Sequence, residues 1–315
     1  MMAKDLLPNL TTLEKLAVNS DSPLLEVRGL HAGYHRKEIV HGIDFAMDKG
    51  TFVCIIGSNA CGKTTALKAI LGLLTPFAGT VKVNGYDSLR LTERQRARCF
   101  AYIPQAHTPP FPFSVADVVL LGRTPYINRL SQVSDNDRLV AWRSLVQLRI
   151  EHLAERTYTH LSGGQQQLIL VARAMTQQAD LIVMDEPTAS LDYGNQQTVL
   201  SSIRSLVDKG YSVLMVTHDP SHALQYADRV LVMSKGKIIM DGTPFEVIST
   251  ESMRSIYCTD VEVIEVTTAE GRKARACIPL DTRVEYKTED KTEDKTEDGS
   301  LSYRDRPQLD ISGRE

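Results

Sequence analysis

The chain has no long hydrophobic run, no paired cysteine motif and few aromatic residues. No stretch approaches 18 uninterrupted apolar residues, which argues against a membrane-spanning helix. The five cysteines, at positions 54, 61, 99, 258 and 277, form no CxxC pair. Their spacing argues against structural zinc or disulfides and suits a reducing cytosol. The N-terminus also lacks the apolar core of a secretory signal. What remains is an ordinary globular composition, 42% hydrophobic and 24% charged.

The formal net charge of −3 comes from one low-complexity segment. Lys287-Thr288-Glu289-Asp290 occurs three times through Asp298, and its three lysines and six acids leave the rest of the chain neutral. A charge-rich repeat cannot form a core, so we expect residues 283–315 to be a disordered acidic tail. The tail either solvates the chain or docks to a partner, and its composition favours the first. The neutral remainder gives no case for nucleic-acid binding.

A phosphate-binding loop lies near the start of the chain. The apolar run 51–56 predicts a buried strand, and a helix-forming segment begins at Lys63. Strand, glycine-bounded loop and helix in this order are the context that supports the motif. Lys63 is expected to reach the β- and γ-phosphates, and the Thr64 hydroxyl to bind Mg²⁺. The predicted nucleotide-binding residues here are Gly57, Ser58, Asn59, Ala60, Cys61, Gly62, Lys63, Thr64 and Thr65.

Cys61 stands in this loop at the start of a helix, where the pKa of a thiol tends to fall. Two interpretations follow. Either oxidation or alkylation of Cys61 blocks nucleotide binding, or Cys61 is a small, inert loop residue.

Two further apolar strands end in polar residues. The segment 179–187 ends its apolar run in the paired acids Asp185-Glu186, and the segment 212–217 is followed by His218. A carboxylate at such a strand end can hold magnesium, which is the role expected of Asp185. Glu186 is predicted to be the general base for hydrolysis, the alternative being a surface charge. His218 is predicted to contact the γ-phosphate.

The ordered set of motifs resembles the ATP-binding subunits of ABC transporters over about residues 24–258. A phosphate-binding loop alone occurs in many ATPases, but the added Leu-Ser-Gly-Gly-Gln sequence is close to diagnostic. The matching residues are Tyr34, 57–64, Gln105, Leu161-Ser162-Gly163-Gly164-Gln165, Asp185-Glu186, Ser190-Leu191-Asp192 and His218. One departure is Gln166, which stands where the family often carries arginine.

The resemblance implies roles for several residues. Tyr34 would stack on adenine, and Gln105 would contact Mg²⁺ and the attacking water. Residues 190–192 would communicate across a dimer of ATPase subunits. Catalysis would therefore involve Lys63, Gln105, Glu186 and His218, with Thr64, Gln105 and Asp185 at the metal.

The resemblance also implies that Ser162, Gly163, Gly164 and Gln165 bind ATP held by the opposite subunit. Ser162 is a good N-cap, and a helix is predicted to follow it. The result is a second helix N-terminus facing an anion. One chain cannot easily aim both helix N-termini at one phosphate, whereas a head-to-tail homodimer does so at two ATP sites.

The fold class expected is α/β, with a P-loop NTPase core, a small antiparallel β subdomain and an inserted helical subdomain. The antiparallel strands are expected around 25–27, 38–45 and 80–84, and a further hairpin over 229–241. On the insert, Leu139, Trp142, Leu145 and Val146 share a helical face interpreted as core. The predicted divisions are an extension (1–23), the ATPase domain (24–258, with the insert at about 106–165), a C-terminal β hairpin (259–282) and the tail (283–315).

Within the family, Gly122-Arg123-Thr124-Pro125-Tyr126 resembles subunits of metal-chelate importers for ferric siderophores, haem or cobalamin, with relatives that move molybdate or tungstate. The resemblance implies a polytopic permease as partner, an extracytoplasmic substrate-binding protein indirectly, and a place at the cytoplasmic face of the membrane. The alternatives are a cytosolic ABC-type ATPase without a transport role, such as an iron–sulfur assembly protein, and an exporter subunit.

Overall fold

The computed structural model describes residues 22–105, 112–127 and 132–280, apart from 268, 270 and 272. These residues fall within one unit that ends at Leu280. The predicted N-terminal extension, except its last two residues, and the predicted acidic tail lie outside the described residues. The strands are β1 (Leu25–Tyr34), β2 (Lys37–Met47), β3 (Phe52–Ile56), β4 (Ala78–Val83), β5 (Tyr86–Asp87), β6 (Phe100–Ile103), β7 (Leu181–Asp185), β8 (Val213–Val216), β9 (Arg229–Ser234), β10 (Lys237–Gly242), β11 (Val261–Thr267) and β12 (Lys273–Pro279).

Helices follow the strands or fill the segment between β6 and β7. Most begin at a side-chain cap that satisfies free backbone amides. They are α1 (Lys63–Ile70), α2 (Glu93–Cys99), α3 (Val115–Leu120), α4 (Asp135–Gln147), α5 (Gly163–Thr176), α6 (Tyr193–Val207), α7 (Pro220–Tyr226), α8 (Pro244–Val247) and α9 (Thr250–Tyr257).

The central sheet carries the residues of the predicted nucleotide site. Its strand order is β10-β9-β3-β8-β7-β6, and its strands are parallel except for β10. Every residue of β3, β7 and β8 is buried, as expected for a sheet covered on both faces. Because β3, β7 and β8 are adjacent and parallel, their carboxyl ends meet at one edge.

A second sheet, in the order β2-β1-β4-β5, is antiparallel and confirms the predicted small β subdomain. β9 and β10 pair as an antiparallel hairpin, and so do β11 and β12. The strand predicted around residues 25–27 is longer in the structure, where β1 has ten residues. The pairing of β1 with β2 shifts register around Gly29 and next to Gly33. These glycines interrupt the alternation of apolar and polar residues in the sequence.

The predicted helical insert is present as α3 and α4, with α5 beginning at its far end. Residues 106–111 and 128–131 of the insert lie outside the described residues. The interpretation of one α4 face as core was wrong for three of its four residues. Leu145 is 1% exposed, but Leu139, Trp142 and Val146 are 43%, 48% and 47% exposed. Helical periodicity identifies an apolar face but does not say whether this chain or another covers it.

Arg123, in the segment that resembles metal-chelate importers, joins α4 to the end of α5. It is 5% exposed, and its Nε donates to Asp137 Oδ1 at 2.9 Å. Its Nη1 donates to the Thr176 carbonyl oxygen at 3.1 Å. The guanidinium also stacks on the Tyr126 ring, 3.9 Å from the centroid. The segment therefore has a packing role within the helical part of the fold.

Candidate nucleotide site

The phosphate-binding loop runs between β3 and α1 and packs tightly against the neighbouring strand. A Cβ atom on Gly57 would lie 2.1 Å from the carbonyl oxygen of Met233, so only glycine fits there. On the other side of the loop, Gly236 N donates to the Cys61 carbonyl oxygen at 2.9 Å. A cavity of about 240 Å³ lies over the loop and is lined by Ile39, Asn59, Ala60, Gly62, Lys63, Thr64, Thr65 and Glu186. This shape fits a phosphate chain cradled by backbone amides.

Lys63 is folded into the loop and is 5% exposed. Its Nζ donates to the carbonyl oxygens of Gly57 at 2.8 Å and Ser58 at 2.9 Å. These two bonds satisfy a buried ammonium group that would otherwise be costly. They also hold the positive charge beside the cavity, where phosphate oxygens would accept from the same donors.

Thr64 and Asp185 meet although 121 positions separate them. Thr64 Oγ1 donates to Asp185 Oδ1 at 3.1 Å. Burial raises the pKa of Asp185, and the neighbouring Glu186 carboxylate raises it further. Burial, followed by the charge of Asp185, also raises the pKa of Tyr102 to about 12.

This arrangement fits magnesium. The candidate ligands are the Thr64 hydroxyl, the Asp185 carboxylate and, nearby, the Gln105 side-chain amide, and all three can supply an oxygen atom. A cation would also offset the accumulated negative charge on Asp185 and Glu186. No group of three or more histidine, cysteine or acidic side chains in the described ranges forms a metal-binding cluster.

Glu186 connects the ends of three strands. Its Oε2 accepts from Gln105 Nε2 at 3.2 Å and from His218 Nδ1 at 3.2 Å. Its backbone N donates to the Val216 carbonyl oxygen at 3.0 Å. The backbone φ of +48° is unusual for a non-glycine residue and costs of order 1–3 kcal/mol. This strained backbone conformation accompanies a side chain that lines the cavity over the loop.

The Leu-Ser-Gly-Gly-Gln segment forms the N-terminus of α5, with Ser162 as its N-cap. Ser162 and Gln165 form a reciprocal capping box. Ser162 and Gly163 are exposed, while a Cβ on Gly164 would lie 2.3 Å from Asn195 Oδ1. The exposed amides at this helix end are suited to an anion from outside the chain.

Gln166 and Gln196 hold the loops before their helices in the same way. Gln166 Nε2 donates to the carbonyl oxygens eight and five residues earlier, both at 3.2 Å. Gln196 Nε2 does the same to Thr188 and Leu191, at 3.2 and 3.0 Å. The departure from arginine at 166 therefore leaves a neutral donor that fixes the loop backbone.

The structure brings some of the predicted site residues together and leaves others apart. Lys63, Thr64, Asp185, Glu186, Gln105 and His218 form one connected group around the loop. Residues 162–165 are not among those lining the cavity; their described neighbours include Leu191 and Asn195. Tyr34 ends β1, is 38% exposed and does not line the cavity either.

Two residues near the site were not singled out from the sequence. Tyr102 lies beside Asp185, and Asn195 packs against Gly164. Tyr102 precedes the Gln105 motif by three positions, which is a weak signal. Asn195 gives none, because its contact depends on how α6 packs beside α5.

The expectation of a lowered pKa for Cys61 was wrong. Cys61 is 7% exposed, and burial raises the pKa of its thiol more than the nearby Lys63 charge lowers it. A desolvated thiol forms little thiolate, so the loop position favours an inert residue.

We expect brief maleimide treatment at neutral pH to modify exposed Cys258 at least about tenfold faster than Cys61, because the latter is buried and poorly ionised. Peptide mass mapping at several times measures both rates. Labelling of Cys61 as fast as that of Cys258, with protection by ATP, would contradict this expectation.

The fold and site define a P-loop nucleotide-binding protein. The model of the ABC transporter family matches residues 40–189. An uncharacterized ABC transporter ATP-binding protein of Haemophilus influenzae is 37% identical over 76% of this chain and 92% of its own length. A hemin import ATP-binding protein of Nocardia farcinica is 36% identical over 73% of this chain and 79% of its own length. A solved metal-chelate type ABC transporter in an inward-facing conformation aligns with a TM-score of 0.74 and 31% identity, covering 83% of this chain and 99% of that chain.

The chain therefore belongs to the family of ABC transporter ATP-binding proteins, and it is an ATPase. The resemblance to metal-chelate importers and the fold class are both confirmed. Across the described ranges, no helix is both long and apolar enough to cross a membrane.

Proposed function

We propose that this chain is the ATP-hydrolysing subunit of an importer that takes up a metal chelate through a separate membrane permease. The observation that carries the proposal is the match to a metal-chelate type transporter over 83% of the chain. The 36% identity to a hemin import protein supports the same class of cargo. Ferric siderophore, haem and cobalamin fit this class, with molybdate or tungstate as oxyanion alternatives. The extracytoplasmic binding protein would act only through the permease.

An apolar groove supports docking to a permease. It lies between α3 and α4, has a volume of about 230 Å³ and is lined by Ala116, Asp117, Leu120, Arg138, Ala141, Trp142 and Leu145. The exposed residues of α4 continue this surface. Apolar surface of this kind, rimmed by charge, suits an amphipathic helix from a partner. Docking there would place the chain at the cytoplasmic face of the membrane.

In the proposed mechanism, two chains close head to tail around two ATP molecules. Lys63 and the loop amides hold the phosphates of one ATP, and residues 162–164 of the other chain cover its γ-phosphate. Magnesium, when bound near Thr64 and Asp185, neutralises phosphate charge. Glu186 takes the proton of the attacking water, while His218 and Gln105 orient the Glu186 carboxylate through the bonds at its Oε2. Separation of the chains after hydrolysis then resets the permease.

The test is an affinity pull-down of the tagged chain from gently solubilised membranes of its own host, followed by mass spectrometry. The unmodified chain is expected to recover a polytopic permease. A Trp142→Asp variant is expected to lose most of it, because the charge enters the apolar groove. Leu73→Asp, at a position 63% exposed and outside the groove, is the matched control and should retain the permease.

Recovery of soluble partners alone, from membranes shown to be intact, would contradict the importer and favour an ABC-type ATPase without a transport role. If the Trp142→Asp variant retains the permease, the assignment of this groove as the docking surface is wrong.

A further inference from the structure

The turn that carries His218 has a buried side, whose residues have no role in the proposed mechanism. This turn, residues 217–219, joins β8 to α7, and His222 lies in the first turn of α7. On its outer side His218 contacts Glu186, and its side chain is 49% exposed. On its inner side Thr217 is 3% and His222 5% exposed. A buried histidine and a buried hydroxyl therefore lie directly behind the exposed histidine.

Two hydrogen bonds and one longer polar contact close this inner side into a ring. Asp219 N donates to Thr217 Oγ1 at 3.1 Å. Thr217 Oγ1 lies 3.2 Å from His222 Nδ1. His222 Nε2 lies 3.5 Å from Asp219 Oδ2. The ring thus links the residues on both sides of His218 through one imidazole.

The proton positions follow from charge and burial. Burial lowers the pKa of His222, partly opposed by the Asp219 carboxylate and reinforced by His218. A neutral imidazole carries one N–H, and the carboxylate of Asp219 favours that proton on Nε2. Nδ1 then accepts from the Thr217 hydroxyl, which in turn accepts from Asp219 N. Both hydrogen bonds of the ring then have a donor and an acceptor, and the Nε2 proton lies toward the Asp219 carboxylate.

The ring is anchored to the sheet and to α7. Thr217 N donates to the Ile55 carbonyl oxygen at 3.1 Å, which fixes Thr217 beside the strand that leads into the phosphate-binding loop. Asp219 Oδ1 accepts from Ser221 N at 2.8 Å as the N-cap of α7. With Thr217 and Asp219 both held, the backbone of His218 has little freedom to move.

We propose that His222 and the Thr217 hydroxyl are positioning residues for hydrolysis, which hold the backbone of His218 so that its Nδ1 meets Glu186. Both are buried, neither lines the cavity over the phosphate-binding loop, and they would act only through His218. The proposal rests on the role assigned to His218. It predicts a loss in the chemical step rather than in ATP binding, because the phosphate-binding loop is untouched.

Steady-state ATPase measurements on the full chain test this. Thr217→Val removes the hydroxyl with little change in shape, and we expect kcat to fall about tenfold or more, since small misplacements of catalytic groups have large effects. KM for ATP should stay within about twofold, because binding uses other groups. Thr217→Ser restores the hydroxyl and should recover most of kcat. His222→Asn keeps an acceptor near Nδ1 and should lose less than His222→Leu.

Two controls separate positioning from loss of folding. The concentration of competent sites is counted by titration with a fluorescent ATP analogue, and kcat is expressed per site. Thr176→Val makes the same change at a fully buried threonine, whose hydroxyl donates to Ser144 Oγ at 2.9 Å. Thr176→Val should lower thermal stability and leave kcat per site unchanged.

His218→Ala is measured in parallel to distinguish two failures. If His218→Ala abolishes turnover while Thr217→Val and His222→Leu keep full kcat per site, the positioning proposal is wrong and the role of His218 stands. If His218→Ala itself turns over normally, the role of His218 fails, and with it the positioning proposal.

Discussion

Replacing Glu186 with glutamine is expected to lower ATP hydrolysis by about 10²–10⁴-fold, the usual contribution of a general base. The amide keeps the shape of the side chain but cannot take a proton from water. ATP binding should persist, because Lys63 and the loop amides are unchanged. We therefore expect the two chains to remain closed around ATP, as a dimer seen by light scattering with ATP and Mg²⁺ and absent with ADP.

Glu155→Gln is a matched control for the loss of one carboxylate, because Glu155 is exposed and does not line the cavity. It should hydrolyse ATP as the unmodified chain does. Normal turnover in Glu186→Gln would remove Glu186 as the base, since no other change is made at the cavity.

Replacing Lys63 with alanine is expected to weaken ATP binding by at least about 10²-fold and to stop turnover. The ammonium is the positive charge that the loop holds beside the cavity, and charge-assisted bonds to phosphate are strong when water is excluded. Alanine also leaves the Gly57 and Ser58 carbonyl oxygens without this donor. Equilibrium binding of a fluorescent ATP analogue measures the effect.

Lys82→Ala is the control, because Lys82 is an exposed lysine on β4 that pairs with Glu26. Its ATP affinity should be unchanged. Lys63→Arg should also bind poorly, since the planar guanidinium cannot replace a compact ammonium in a closed loop. Tight ATP binding by Lys63→Ala would contradict the assignment of the loop as the phosphate site.

Local signals explain how much of this structure was predictable. The strand before Gly57 was predicted within one residue at each end, and the helix after it begins at Lys63 as predicted, because the buried run, the glycines and the helix-forming segment agree. The N-cap at Ser162 was also predicted, since a capping residue stands directly before a helix-forming segment.

Long-range contacts were harder to predict. The bond between Gln105 and Glu186 spans 81 positions and depends on which parallel strands are neighbours. Resemblance to a family suggested these residues, but only the sheet order β8-β7-β6 brings their side chains together. The prediction of a lowered pKa for Cys61 was wrong for a related reason. Met233 and Gly236, which lie far along the chain, pack against the loop, and the burial of the thiol raises its pKa.

We propose that each ATP site is built from two copies of the chain. Mixing two inactive variants tests it directly. Lys63→Ala lacks the phosphate-binding lysine, and Gly163→Asp puts a carboxylate at the exposed N-terminus of α5, where it repels phosphate. If residues 162–164 act on ATP held by the partner, a mixed dimer contains one intact site, and ATPase activity returns when the two variants are combined. If mixed dimers are shown to form and activity stays absent, the two-chain site is contradicted.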